Sequence, residues 1–259
     1  MQDALRGLDN LTKRSSAIGN TMSALTCLLM FFSTTAYGQV VLDDFSANNE
    51  SNYDFVPVFG ASSDGWTVTA GELRPSIDSS GGATWLWNQG GKLSAAGDSV
   101  SISLSLPAHA NNGFDTSIGL FLAADAASIF LGHEISQTIS RVDGVDFWKF
   151  VVDGFGDQEA PPSGPVQLTV QRTDEQTVDG FKYTTAFSGG GLPGPILGSF
   201  YDSSESLRFG PYAYNTTGTP AALDNFTFTA VPEPSMYAAV FGFLALATAA
   251  IRTRTARRG

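Results

Sequence analysis

The carboxylates are the residues of this chain that could perform chemistry, and hydrolysis of a glycosidic bond is the reaction they would suit. That reaction needs two carboxyl groups facing each other, about 5–9 Å apart, across the bond. Glu134 in FLGHEISQ stands alone, and Glu159 in DQEAPP lies beside a proline turn. His109 and His133 lack zinc-ligand spacing, and no Gly-x-Ser-x-Gly elbow marks a nucleophile. The sequence therefore favours a protein that is not an enzyme. It leaves open a hydrolase whose two carboxylates come from strands distant in sequence.

Two tryptophans offer binding rather than catalysis. Trp85 and Trp87 are two residues apart, so a strand would put both indole rings on one face. The apolar face of a sugar ring stacks well on such rings, which makes the pair a candidate glycan-binding platform. Large aromatic residues on one face of a strand are also typical of a buried core. From the sequence, the pair is therefore either a binding platform or part of the core.

The elements that must position these residues are strands. In SVSISLSL, Val100, Ile102 and Leu104 share one face while serines occupy the other. A period of two is what a strand with one solvated face requires. Similar runs, separated by turn-forming Asp-Gly, Asn-Gly and Gly-Gly pairs, are QVVLDDF, GWTVTAGEL, ATWLW, SIGLFLA, VDFWKFVV, PVQLTVQ, FKYTTAF, LRFGPYAY and LDNFTFT. We predict about ten to twelve strands in one all-β domain, a β-sandwich or jelly roll.

Four motifs in these runs resemble a known family. LDDFS, DGWTVTAGELRP, SLRFGPYAY and ALDNFTFTA are similar to strand motifs of concanavalin A-like (laminin G/lectin-type) jelly rolls. In that family the first and last strands pair, many members bind sugars, and some hydrolyse them. Its hydrolases carry Glu-x-Asp-x-x-Glu or Glu-x-Asp-x-Glu on one strand, a string that this sequence lacks. The resemblance implies sugar binding, with an extracellular glycan-acting hydrolase as the alternative.

Calcium is the one cofactor for which the sequence offers candidate ligands. The ion takes six to eight oxygen atoms from carboxylates, carbonyls and amides. Pairing of the terminal strands would bring Asp43, Asp44 and Asp224 together, and sugar-binding jelly rolls are known to hold structural calcium at that junction. A second set in Asp-Gly loops, for which tight turns are the simpler interpretation, comprises Asp143, Asp146, Asp153 and Asp157.

The first 38 residues are predicted to be a signal peptide. Two basic residues precede an uncharged run whose most apolar part covers residues 24–32. Ala36 and Gly38 place small residues at the two positions that signal peptidase inspects. We therefore expect export and cleavage after Gly38. Met1 and Met22 are both possible starts of translation.

Residues 231–259 form a tail of three parts. Pro232, Glu233 and Pro234 precede an uncharged apolar stretch at residues 236–251, and four arginines follow: Arg252, Arg254, Arg257 and Arg258. A helix of that length spans about 24 Å, which is short of the roughly 30 Å core of a bilayer. The order of the three parts resembles the PEP-CTERM sorting signal of Gram-negative bacteria, which implies recognition and cleavage by an exosortase. A plain membrane anchor is the alternative.

The region between the two ends is strongly acidic. The full chain has 25 acidic and 14 basic residues; two acids and three bases precede Gln39, and four bases follow Pro234. This leaves 23 acids against 7 bases, a net charge of −16, which disfavours nucleic acids and anionic membranes. We predict a domain at residues 39–230 that binds neutral or calcium-bridged exopolysaccharide at the cell surface or in the extracellular matrix. Membrane contact is expected only through the C-terminal helix, before processing.

Overall fold

The protein is described by a computed structural model that divides into two compact units. One unit spans Gln39–Glu233, and the other combines Met1–Gly38 with Pro234–Gly259. The residues described are 38–57, 65–77, 81–107, 116–124, 135–141, 148–152, 155–159, 162–231 and 241–248. The limits of the larger unit lie close to residues 39 and 230, the predicted limits of the domain. The domain boundaries themselves remain a prediction.

The larger unit contains an eight-stranded sheet. Its strands are β1 (Gly38–Asp43), β3 (Trp66–Thr69), β4 (Glu72–Pro75), β6 (Ser99–Ser105), β11 (Val166–Thr177), β12 (Gly180–Gly189), β13 (Ile196–Asp202) and β15 (Ala222–Ala230). Their order across the sheet is β13–β12–β11–β6–β15–β4–β3, and β1 pairs with β15 as a branch. The first and last strands of the domain therefore pair, as the family resemblance implied.

A seven-stranded sheet forms the second layer. Its strands are β2 (Tyr53–Pro57), β5 (Gly82–Trp87), β7 (Thr116–Ala123), β8 (Ile135–Arg141), β9 (Trp148–Val152), β10 (Phe155–Glu159) and β14 (Arg208–Tyr214). Their order is β10–β9–β8–β7–β14–β5–β2, and every pairing in this sheet is antiparallel. A short 3₁₀ turn at Glu50–Asn52 precedes β2.

The alternating sequence of β6 explains how the two sheets meet. Val100, Ile102 and Leu104 are at most 1% exposed, whereas the serines between them are partly exposed. Ile118 and Leu120 of β7 lie in the same apolar cluster, so the core is built from the facing sides of both sheets. Burial of each such aliphatic side chain contributes about 1.5–3 kcal/mol. The predicted all-β sandwich is confirmed.

Each of the predicted runs contains a described strand, and one run is divided into two. GWTVTAGEL forms the hairpin β3–β4, because Ala70 and Gly71 turn the chain with φ values of 55° and 80°. The sequence did not predict β2, β8, β10 or β13. With these four, the structure describes 15 strands, which is more than the ten to twelve that were expected.

Apart from Gly38, the described residues of the smaller unit are 241–248, which form a helix within the apolar stretch of the tail. Phe241, Phe243 and Leu246 expose most of their side chains. Among the described residues, no helix has the length and apolarity needed to cross a membrane.

Candidate functional site

The outer face of the seven-stranded sheet, which points away from the main core, carries the candidate site. Trp85 and Trp87 of β5 point into the core, so Leu86 between them lies on the outer face. A second apolar cluster, in which every side chain is at most 6% exposed, forms there: Val56, Leu86, Phe121, Ala123 and Tyr212. The rings of Phe121 and Tyr212 stack with centroids 5.8 Å apart. This face is therefore apolar over its middle strands.

An ion pair ends this apolar area. Nη2 of Arg208 on β14 donates to Oδ2 of Asp54 on β2 over 2.6 Å. Arg208 also donates to the carbonyl oxygen of Trp87 from Nη2 over 3.0 Å and from Nε over 3.3 Å. The Arg208 side chain is only 14% exposed, so these contacts replace the water that a guanidinium loses on burial. Arg208 thereby fixes Asp54 against the end of β5.

The loop after β5 completes the polar group. Asn88 donates from Nδ2 to Oδ1 of Asp54 over 3.2 Å and to the carbonyl oxygen of Ser51 over 3.3 Å. Gln89 donates to Oδ1 of Asn88 over 2.5 Å. Both amides are exposed to solvent. We call Asp54, Asn88, Gln89 and Arg208 the Asp54 site.

The electrostatics of the Asp54 site favour an ionised carboxylate. The hydrogen bond from Arg208 lowers the pKa of Asp54, burial opposes this shift, and the hydrogen bond from Asn88 adds to it. A carboxylate offers about four acceptor positions, and Arg208 and Asn88 occupy one on each oxygen. The Asp54 side chain is 45% exposed. It can therefore accept further hydrogen bonds from hydroxyl groups of a ligand.

The predicted tryptophan platform is corrected by the structure. Trp85 and Trp87 are 5% and 8% exposed and belong to the main core. Trp85 packs on Trp66 with ring centroids 5.4 Å apart, and both tryptophans contact the ring of Tyr53. No ring face is left for a sugar, so the alternative core interpretation holds.

The calcium set of the terminal strands is not assembled either. Asp43 is buried and accepts hydrogen bonds from the main chain of Phe45, from Asn49 and from the hydroxyl of Tyr53. Asp44 and Asp224 each bond to a residue next to them in sequence or two positions away. Across the described parts of the chain, no group of three or more Asp, Glu, His or Cys side chains is positioned to hold a metal ion. Asp43 instead shapes the turn after β1.

Several predicted residues lie outside the described residues. They are Ala36 of the cleavage site, the motif Pro232, Glu233 and Pro234, the basic residues Arg252, Arg254, Arg257 and Arg258, both histidines, Glu134, and the loop aspartates Asp143, Asp146 and Asp153. Gly38, the residue before the predicted cut, begins β1.

Comparison with known proteins gives a fold. No protein-family model and no curated protein matches this chain. Among solved structures, the CBM2 module of the Lactobacillus casei BL23 phage J-1 evolved Dit has a TM-score of 0.51 at 12% identity, covering 75% of this chain and 96% of that one. Lectin UEA-II complexed with galactose has a TM-score of 0.50 at 14% identity, covering 75% and 98%.

A third match is partial. A mutant of the GH43 protein BlXynB from Bacillus licheniformis has a TM-score of 0.48 at 13% identity, covering 76% of this chain but 39% of that one. At these identities the likeness is one of architecture. The predicted concanavalin A-like jelly roll is confirmed as the fold.

Proposed function

We propose that the protein is a non-enzymatic, glycan-associated component that binds carbohydrate at the Asp54 site. The observation that carries this proposal is the half-exposed Asp54 carboxylate, held in place by Arg208 and Asn88. A fixed acceptor with open positions suits sugar hydroxyls, since hydrogen bonds to charged groups are stronger than neutral ones. The exposed amides of Asn88 and Gln89 supply further polar contacts.

The same geometry argues against hydrolysis at this site. A glycosidase needs a carboxylic acid that stays protonated until it donates to the leaving group, and therefore a raised pKa. The pKa of Asp54 is lowered instead, so Asp54 does not suit the role of that acid. Among the outward side chains that the structure describes on the strands of this sheet, Asp54 is the only carboxylate. Hydrolysis requires a second carboxyl group, so we do not propose it for this site.

The charge of the domain selects the ligand class. With 23 acids and 7 bases between Gln39 and Pro234, the domain repels polymers rich in uronic acids. Neutral extracellular polysaccharides, or acidic ones bridged by calcium, are the ligands we propose.

The test is retention of the protein on the neutral polysaccharide of its own producing cell. Asp54→Asn keeps the shape and an acceptor for Arg208 but removes the charge, and we expect retention to weaken about tenfold. Asp174→Asn, at an exposed position on β11, is the matched control and should bind like the wild type. Equal retention of Asp54→Asn and wild type would refute the site. Release of reducing sugar by the wild type would establish the hydrolase instead.

Sorting forms a separate part of the proposal. We propose export, removal of residues 1–38 by signal peptidase, transient anchoring by the tail, and cleavage by an exosortase near Pro234. The exposed apolar side chains of the helix at residues 241–248 support this, because large exposed apolar patches commonly mark membrane or protein contacts. The mature domain would then reside at the cell surface or in the extracellular matrix.

Two epitope tags test the sorting steps. One is placed after Gly259 and the other near Ser46, in cells with an active exosortase. The two tags should separate, with the Ser46 tag leaving the inner membrane. If both stay on one intact inner-membrane protein, the tail is a plain anchor.

A further inference from the structure

The outer face of the eight-stranded sheet carries two rows of side chains that lack charge. In each row, residues of five neighbouring strands lie opposite one another, from β15 through β6, β11 and β12 to β13. The first row is Thr229, Ser99, Gln171, Thr184 and Ser199. The second row is Thr227, Ser101, Thr169, Ala186 and Leu197; Thr227 is 8% exposed, and its hydroxyl accepts a hydrogen bond from Gln39 over 3.1 Å. We call these two rows the hydroxyl face.

The geometry of the hydroxyl face is regular. The pairing of β6 with β11 and of β12 with β13 runs without a register shift. Strands lie about 4.8 Å apart, so each row extends about 19 Å across the sheet, and the rows lie about 7 Å from each other. The hydroxyl oxygens of Ser101 and Thr169 are 2.8 Å apart. Because serine and threonine are short, they lose little side-chain entropy when a ligand orders them.

The charge of the rows contrasts with that of the domain. Between Gln39 and Pro234 the net charge is −16, yet neither row contains an acidic or basic residue. Charged side chains lie beyond the rows: Lys182 donates to Glu175 over 2.8 Å at one end of β11 and β12. Hydroxyls both donate and accept hydrogen bonds, as sugar hydroxyls do. The hydroxyl face is thus complementary to a neutral polymer, whereas the acidic domain as a whole repels anionic polymers.

Apolar surface lies along the β13 side of the rows. Leu197 is 70% exposed, and Tyr201, two positions beyond Ser199, is 38% exposed. The phenol of Tyr201 donates to Oε1 of Glu175 over 2.7 Å, and Nζ of Lys182 lies 5.9 Å from the ring centroid. These contacts hold the ring in one orientation. An oriented aromatic ring offers a surface for the apolar face of a sugar.

From these observations we infer that the hydroxyl face is a second binding surface, which takes one extended chain of a neutral polysaccharide across five strands. This inference shares its ligand class with the proposed function but uses the opposite layer of the sandwich. The surface can therefore be tested independently of the Asp54 site.

The test uses native gels containing hydroxyethyl cellulose or dextran, with the full chain in mild detergent. The row variant carries Thr229→Glu and Ser199→Glu, one at each end of the first row. The control variant carries the same added charge at exposed positions outside the rows, as Gln176→Glu and Ser203→Glu. We expect retardation by at least one of these polymers, weakened about tenfold in the row variant and by less than about twofold in the control. Tyr201→Ala, which adds no charge, should also weaken retardation.

Several outcomes would overturn the inference. They are equal retardation of the row variant and the control, or no retardation of the wild type by either neutral polymer. Retardation lost in Asp54→Asn but kept in the row variant would refute the hydroxyl face while leaving the proposed function intact. If the wild type is a dimer and the row variant is a monomer with unchanged retardation, the hydroxyl face serves self-association instead. Stronger retardation by alginate than by the neutral polymers would contradict the charge argument.

Discussion

Asp98 and Val231, 133 residues apart in sequence, are joined by a hydrogen bond in which the main-chain N–H of Val231 donates to Oδ1 of Asp98 over 2.9 Å. The other oxygen, Oδ2, accepts from the main chain of Ser94 over 2.9 Å and of Ala95 over 2.7 Å. Asp98 is buried, and Val231 directly precedes Pro232, which has no N–H to donate. One carboxylate therefore ties the loop before β6 to the end of the domain.

We predict that Asp98→Ala lowers the free energy of unfolding of the Gln39–Glu233 unit by about 3 kcal/mol, because several main-chain donors lose their acceptor. Urea unfolding followed by circular dichroism measures this. The amide of Val231 should also exchange with solvent faster. Asp174→Ala, at an exposed position, is the control and should change the stability by less than about 0.5 kcal/mol. A loss below about 1 kcal/mol for Asp98→Ala would contradict the assigned role.

Leu104→Asp should unfold the domain. Leu104 is 1% exposed between the sheets, where an unpaired charge costs several kcal/mol, comparable with the whole stability of many domains. Ser99→Asp is the matched control on the outer side of the same strand, opposite the uncharged Gln171 and Thr229. Far-ultraviolet circular dichroism should show a native spectrum for Ser99→Asp only. Equal damage from both changes would mean that the orientation of β6 is wrong.

The Asp54–Arg208 pair predicts an acid-dependent part of the stability. The hydrogen bond from Arg208 lowers the pKa of Asp54 from the ordinary 3.8, so its contribution is present above about pH 4 and is lost as pH falls through the folded pKa. The difference in unfolding free energy between wild type and Asp54→Asn should shrink on acidification. It should stay below about 1 kcal/mol because the pair is partly exposed. A difference independent of pH between about 6 and 2 would exclude this coupling.

Buried phenols predict the response to alkali. Burial raises the pKa of Tyr183 to about 12 and raises the pKa values of Tyr53 and Tyr212 further. Because the folded pKa values exceed the ordinary 10.0, the stabilisation is complete below pH 10 and is lost as pH rises through the folded values. Phenolate absorbance should therefore show a late fraction that appears together with unfolding by circular dichroism. Titration of all tyrosines near pH 10 in a folded protein would contradict this.

How far the sequence predicts the fold depends on whether a strand has one solvated face. In β6 the apolar residues alternate with serines because only one side is buried, so the period is visible. In β5 all six residues are buried, since both faces of this strand are covered. The pattern of Trp85 and Trp87 therefore gives a shared face but not whether that face meets solvent. In β13, Leu197, Ser199 and Tyr201 are exposed and Gly198 interrupts the apolar residues, which weakens the signal for a strand.

The candidate site could not be predicted for a different reason. Asp54 and Arg208 are 154 residues apart, and no motif links them. They meet because β2, β5 and β14 are neighbours in one sheet. The order of the strands is set by packing across the whole domain, so the spacing of residues within a short sequence motif does not predict it.

The position of β15 also has a consequence for how the domain is made. This strand is the last of the domain, yet it lies inside the eight-stranded sheet between β6 and β4 and also pairs with β1. Until Ala230 has been synthesised, β6 lacks one neighbour and the strands at the other side of the sheet have nothing to join. Pairing between strands so distant in sequence is slow, and unpaired edges promote aggregation during that time. A chain that ends before β15 would lose an interior strand rather than an edge, so truncation at that point should abolish folding of the sheet as a whole.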